Sequence, residues 1–357
     1  MRDFACPNCG QRLAFENSVC LSCGSPIGFD LAARDFAVLG PQGVTLLAPA
    51  RQICANLNVA GCNWLVPVGG SALCRSCSLT RTRPNDGDPA LPAFAEAEAP
   101  KRRLVVELIE LSLPINDRIA DPERGLTFDL LSSEQEPVIT GHDEGVITLD
   151  LAEGDDVHRE QLRVSMDEPY RTLLGHFRHE TGHYFFFVLA ETGPARAEFE
   201  TLFGDPDLDY QAALDRHYSQ GAPDGWEQNY VSSYATMHPA EDWAETFAHY
   251  LHIVDTLETA RTYGLALRPN AASGASLPDM TARRLDFDDF DDLIGAWFPL
   301  TNALNSLNRS MGLPDLYPFV LSQPAIAKLR FVHAIIEKAS EHGRSRENGD
   351  DVVAKLA

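Results

Sequence analysis

From Phe94 to Leu113 the apolar residues Leu104, Val105, Leu108 and Ile109 recur at helical spacing, and Pro100 marks either the start or a kink of that helix. Two short runs follow, Leu126 to Leu131 and Val146 to Leu151, that read as strands, with Gly141-His142-Asp143-Glu144-Gly145 as a turn between extended stretches. A small sheet is therefore expected ahead of the next helical pattern. That pattern runs from about Pro169 to Ala190 without an internal proline, and Gly175 and Gly182 are its weak points. Another helix is expected from Pro239, a good first-turn residue, through Ala260, and two more at 287–311 and 323–341. The stretch from Glu341 to Ala357 reads as a frayed, flexible tail.

The first 79 residues have a different character, with turn residues and CxxC pairs flanking brief strands such as Ile27 to Leu39 and too little apolar content for a core. Residues 80–91, TRTRPNDGDPAL, cluster Pro, Asn, Asp and Gly, which is the composition of a linker. The expected order is a cysteine-rich module at 1–79, the linker at 80–91, a larger domain at 92–340 and the tail at 341–357.

The length of 357 residues accommodates such a pair of domains, and 44% hydrophobic with 23% charged residues is ordinary for a globular protein. A net charge of -23 changes the picture of partners. It opposes attraction to nucleic acid and to anionic lipid, and favours protein or peptide partners. The amino terminus leads directly into a cysteine motif with no secretory signal pattern, and the apolar run Tyr184 to Ala190 is far shorter than the roughly 20 residues of a membrane span. A cytoplasmic location is expected, and there the eight cysteines, all between Cys6 and Cys77, point to metal rather than disulfides.

Cys6-x-x-Cys9 and Cys20-x-x-Cys23 form two knuckles separated by ten residues, a spacing that lets four thiolates converge on one zinc. Cys54, Cys62, Cys74 and Cys77 offer a second, less regular set of four. Both zincs would be structural, since a site closed by four protein ligands leaves no position for substrate.

His179-Glu180-Thr181-Gly182-His183 is an HExxH sequence. On a helix its two histidines share one face, where they ligate zinc, and Glu180 sits beside the metal to handle a water proton. Leu173, Leu174, Phe185, Phe186 and Phe187 make this a buried helix, in which two histidines and a glutamate need a partner such as a metal. The metzincin extension is absent, because Phe186 and Leu189 occupy the positions of its Gly and His. A glutamate is the alternative third ligand. In His238-Pro239-Ala240-Glu241-Asp242-Trp243-Ala244-Glu245 the residues Glu241, Glu245 and His249 share a helical face, so Glu241 is the candidate ligand and Glu245 the carboxylate that orients a ligand histidine. The fold class expected is thus α+β: a zinc-ribbon module followed by a mainly helical zincin domain with a small β-sheet.

The segments FACPNCGQRLAFENSVCLSCG, RHETGHYFF and YVSSYATMHPAEDWAETFAHYLH resemble the gluzincin peptidases, and more closely the bacterial zinc-binding metallopeptidases that carry an amino-terminal zinc ribbon. The resemblance covers nearly the whole chain. Tyr234 ahead of Glu241-Asp242-Trp243-Ala244-Glu245 is similar to the lethal-factor type, and this likeness implies that Tyr234 stabilises an oxyanion. The insertion between His183 and Glu241 is longer than in thermolysin-like enzymes.

The expectation is one catalytic and two structural zincs, with peptide hydrolysis at the catalytic one, Glu180 as general base and strand 146–151 pairing with an extended substrate. A regulatory peptidase specific for one partner docked on the ribbons is one form of this. The rival is a non-catalytic binding or regulatory protein with a zincin-like domain. His176, His249 and His252 read as packing or solvent-facing residues, His238 as a possible substrate contact, and Asn305, Asn308 and Arg309 as either a cleft cover or a capped structural helix. Arg75, Arg81, Arg83 and Lys101-Arg102-Arg103 are either a local basic patch or a solvated linker.

Overall fold

The structure is a computed structural model, and it describes residues 2–46, 49–134, 136–155, 172–265 and 289–354. The chain divides into two compact units, one of Arg2–Glu107 with Ile115–Arg159 and the other built from Leu108–Pro114 with Glu160–Ala357. The mixed helix and strand class expected from the sequence is the one the chain has.

In the first unit, β1 (Phe4–Ala5) pairs with β2 (Arg12–Leu13), β3 (Ile27–Asp30) with β4 (Asp35–Val38), and β5 (Arg51–Ile53) with β6 (Leu65–Pro67), all antiparallel. The single stretch expected at Ile27 to Leu39 is thus a hairpin. The cysteine-rich module also has more core than its composition implied. Phe4, Phe15, Phe29, Phe36 and Trp64 are buried against one another, with Phe15 edge-on to Phe29 at 5.0 Å between ring centres. Rings carry far more apolar area per residue than aliphatic side chains, so five suffice for a small core.

Residues 80–91 are not all linker. Thr80–Thr82 forms β7, which pairs in parallel with β8 (Thr127–Leu131). The sheet continues through β10 (Val146–Asp150) to β9 (Gly141–Asp143), in the order β7-β8-β10-β9. The turn expected over 141–145 shrinks to Glu144 and Gly145, both at positive φ (43° and 84°), a two-residue connection whose twist suits a hairpin. Strand β10 is bonded on both sides, parallel to β8 and antiparallel to β9. Its edges are used, so it is not the strand that receives a substrate. Counted with β7, this sheet groups with the cysteine-rich residues rather than with the HExxH helix.

After a short helical turn, α1 (Leu57–Ala60), helix α2 (Leu91–Glu110) runs through Pro100 and buries Leu104, Val105 and Leu108. It also buries Glu98 and Lys101, whose Nζ and Oε1 lie 2.5 Å apart. The basic residues singled out in the sequence each have an internal partner: Arg75 with Asp117, Arg81 with Asp129, Arg83 with Asp86, Arg102 with the Ala60 carbonyl and Arg103 with Glu16. They form no free basic patch.

The second unit is helical. Helix α3 (Leu173–Phe185) continues into one π-helical turn, Phe186–Ala190, and is followed by α4 (Pro194–Phe203), α5 (Tyr210–Gln220), α6 (Pro239–Thr262), α7 (Phe290–Ser310) and α8 (Gln323–Ala354). The expected start of the HExxH helix at Pro169 lies outside the described residues. Where a frayed tail was expected, α8 runs on to Ala354; no proline interrupts 341–354, so the backbone ladder can continue. Helices α3 and α6 cross at Gly182, where an added Cβ would stand 2.9 Å from the Ala244 Cα. Trp243 donates its indole N–H to the Gly182 carbonyl at 2.8 Å, and Phe185, Phe199, Phe203, Phe247 and Phe331 complete an aromatic core around that crossing. Among the described residues no helix is long and apolar enough to cross a membrane.

Candidate active site and metal centres

The cysteines fall into two clusters of four, Cys6/Cys9/Cys20/Cys23 and Cys54/Cys62/Cys74/Cys77, each with its sulfurs within 4.8 Å of one another. Sulfurs about 2.3 Å from a tetrahedral zinc would stand about 3.8 Å apart. The observed separations are 3.8 Å for Cys6 and Cys23, 3.7 Å for Cys9 and Cys20, and 3.6 Å for Cys62 and Cys74. In the first cluster both knuckles close by the same device: Gly10 and Gly24, at φ 75° and 71°, donate to the Cys6 and Cys20 carbonyls at 2.8 Å. Glycine takes that left-handed turn without a side-chain penalty. All four sulfurs of the second cluster are buried, and Cys54 and Cys74 accept backbone N–H bonds from Cys74 and Cys77 at 3.4 Å. Hydrogen bonds from its three neighbours hold the Cys54 thiol far below the usual range, while the bond to Cys54 pushes Cys62, Cys74 and Cys77 above it. Four sulfurs this close share protons unless a cation neutralises them, and the donor set fits zinc.

The third cluster is His179, His183 and Glu241, again within 4.8 Å of one another. One turn of α3 separates the two histidines, whose ring centres are 5.0 Å apart. Both aim Nε2 at the Glu241 carboxylate from α6: His179 lies 3.0 Å from Oε2 and His183 lies 3.3 Å from Oε1. Glu241 is 2% exposed. Burial pushes its carboxyl up, but the charges and hydrogen bonds of His183 and His179 outweigh this and hold it well below the carboxylate range. Burial likewise disfavours a charged His179, and Glu241 and Glu245 override it to raise that imidazole well above its usual value. One buried carboxylate facing two imidazoles is a donor set that could hold a metal ion, and a divalent cation would take the place of those protons.

Glu245, one turn beyond Glu241, sits 2.7 Å from His179 Nδ1 through Oε1. Burial pushes Glu245 up, yet the bond from His179, the charges of His179 and His249 and the Ser232 hydroxyl hold it down at about 2. An ionised Glu245 accepts the Nδ1 proton, so it is Nε2, whose proton now faces Glu241, that would offer its lone pair to a metal in place of that proton. Glu180 is buried on α3, and its charge acts on the phenols of both Tyr234 and Tyr210. The Tyr234 ring stands 6.0 Å from that of His179. Burial first, then the charge of Glu241 and the neighbouring Tyr210 and Tyr218, push its phenol far up, so it stays a hydrogen-bond donor.

The other candidates have structural work. His238 caps α6, accepting from Ala240 N on Nδ1 at 3.1 Å. His249 lies 2.7 Å from the Tyr317 hydroxyl through Nδ1 and is kept neutral by burial, which pushes it down to about 4; burial takes His252 to about 3. The Asn305 amide brackets the Tyr317 backbone, Asn308 donates to the Pro314 carbonyl and Arg309 pairs with Asp315, so all three brace the loop after α7. His176 is half-buried on α3. The sequence reading missed Tyr210, whose hydroxyl donates to Glu241 Oε1 at 3.0 Å, and Ser232 beneath Glu245. Tyr210 lies inside the long insertion, where no spacing rule reaches; Ser232 precedes Tyr234 by two residues, but a serine in a turn carries no signal of its own.

Residues 90–335 match the model of the family described as "Putative zinc-binding metallo-peptidase", and residues 3–88 match that of a zinc-ribbon domain. The chain is similar to an uncharacterized protein of Mycobacterium bovis and to two of Mycobacterium tuberculosis, each 56% identical over 345 residues that cover 95% of this chain and 96% of the relative. No solved structure matches. With that region matched over most of the chain and a zinc ribbon ahead of it, this protein belongs to the family so described.

Proposed function

We propose that the protein is a zinc-dependent peptidase of the gluzincin type that hydrolyses peptide bonds in a restricted protein or peptide substrate. The carrying observation is the convergence of His179, His183 and Glu241, with Glu245 2.7 Å from the Nδ1 of His179. These three residues would hold one zinc, and the two cysteine clusters would hold two more. When bound, the catalytic zinc supplies a water of lowered pKa and polarises the scissile carbonyl. Glu180 takes the proton of the attacking water and returns it to the leaving amine. Tyr234, kept protonated, donates to the oxyanion that develops on the carbonyl oxygen. The ribbons are read as a docking platform for a protein partner in the cytoplasm. Net charge of -23 and the internal pairing of the arginines argue against nucleic acid as that partner.

The test compares wild type with Glu180→Gln on a peptide library derived from a cell lysate, reading new amino termini by mass spectrometry and zinc by elemental analysis. Glu180→Gln should keep its zinc and lose about 10²- to 10⁴-fold in cleavage rate, the usual contribution of a general base. Cleavage by Glu180→Gln at the wild-type rate would sink the mechanism. Full zinc loading without any cleavage by wild type would favour the binding-module reading.

A further inference from the structure

Tyr210 belongs to no motif. It opens α5, behind the cap that Asp209 provides by accepting from Ala212 N at 3.0 Å, and lies 31 residues before Glu241. Tyr210 is 43% exposed, yet its hydroxyl reaches inward to Glu241 Oε1 at 3.0 Å. We propose that Tyr210 is a positioning residue for the metal, its hydroxyl fixing the Glu241 carboxylate while His238 holds Tyr210 in place. This rests on the reading of Glu241 as a zinc ligand.

Glu241 now has the His179 Nε2 on Oε2, and the His183 Nε2 with the Tyr210 hydroxyl on Oε1. The two Nε2 atoms are also the ligand atoms of the histidines, and a nitrogen that gives its lone pair to a metal has no proton left for a carboxylate. Of these three contacts only the phenol survives metal binding. A ligand carboxylate turns about its Cγ–Cδ bond unless a hydrogen bond fixes it, and such partners of metal ligands set affinity.

The brace is visible in the contacts of the two His238 ring nitrogens. Its Nδ1 accepts from Ala240 N at 3.1 Å, so in the neutral ring the proton is on Nε2, which donates to the Leu208 carbonyl at 3.1 Å. One imidazole therefore ties the start of α6, which carries Glu241, to the residue two before Tyr210, and its ring packs edge-on to Tyr210 at 5.3 Å between centres. The insertion between His183 and Glu241 thereby acquires a role: it delivers a hydroxyl to the ligand.

Zinc affinity of the full chain, measured by competition with a chromogenic chelator that strips the third site ahead of the cysteine sites, tests this without recourse to activity. Tyr210→Phe keeps the ring and removes only the hydroxyl. It should bind the third zinc about 10- to 100-fold more weakly, the range for such partners, while its far-UV circular dichroism stays that of wild type. His238→Asn keeps a good cap for α6 but is too short to reach Leu208, and should weaken the same zinc in the same direction. Wild-type affinity in Tyr210→Phe overturns the proposal, and wild-type affinity in His238→Asn alone removes the brace from it. A wild type that binds no third zinc would instead overturn the ligand assignment itself. If wild type binds zinc but cleaves nothing, the peptidase reading falls while the affinity comparison still decides the role of Tyr210.

Discussion

Glu245 touches His179 and not the place of the metal, yet it decides what His179 can do. Held at about 2, it is ionised throughout the working range and always offers an acceptor to Nδ1. Glu245→Ala should therefore free the imidazole to rotate and to take the other tautomer, weakening zinc at this site about 10- to 100-fold while leaving the cysteine sites filled. Chelator competition on the variant would measure this, and unaltered affinity would reduce Glu245 to a packing residue. That Glu241 and Glu245 stand four apart on a helix was legible in the sequence, because helical spacing puts such residues on one face. The geometry adds that they serve opposite nitrogens of the same histidine, Nε2 and Nδ1. Tyr210 was not legible, since a contact across an insertion depends on where α5 comes to lie and leaves no period in the chain.

At the scale of elements, the site exists because α3 and α6 approach closely enough for Glu241 to lie between the two histidines, and Gly182 permits that approach. The sequence marked Gly182 as a weak point of the helix; the structure turns it into the contact itself. An alanine there would gain about 1 kcal/mol in helix propensity, but its Cβ would meet Ala244 Cα at 2.9 Å, Ala244 O at 3.2 Å and Phe247 Cβ at 3.3 Å. Two of those atoms are backbone, so relief requires moving α6, and overpacking of this kind costs about 1–3 kcal/mol. The clash should win, so Gly182→Ala lowers stability by up to about 2 kcal/mol in a denaturant titration and loosens zinc by shifting α6 relative to α3. A variant as stable as wild type would show that α6 yields more readily than this packing implies. Strands were the less legible elements. β7, Thr80-Arg81-Thr82, has strand-favouring threonines but runs straight into the turn formers Pro84 to Gly87, and its pairing with β8 is a tertiary contact that such a short run does not announce.

For the whole molecule, the question is what keeps each unit folded when metal is withdrawn. The helical unit buries the Trp243 core, to which the His179/His183/Glu241 cluster adds ligands and little apolar area. The cysteine-rich residues have only short strands and a five-ring core around Trp64, and four buried sulfurs that cannot all stay charged without a cation. For modules of this kind the binding free energy of zinc is folding free energy. Elemental analysis should accordingly find three zincs in wild type and two in His183→Ala. Exhaustive chelation should then expose Trp64 and abolish the amide dispersion of the cysteine-rich residues, while helical circular dichroism and the burial of Trp243 persist. Two zincs in both proteins would empty either the histidine site or one cysteine cluster, and the dispersion of Cys54–Cys77 against Cys6–Cys23 resonances would tell which. Loss of helix on chelation in step with the loss of Trp64 burial would mean that the two units do not fold independently, and that zinc in the ribbons supports the peptidase-type core as well.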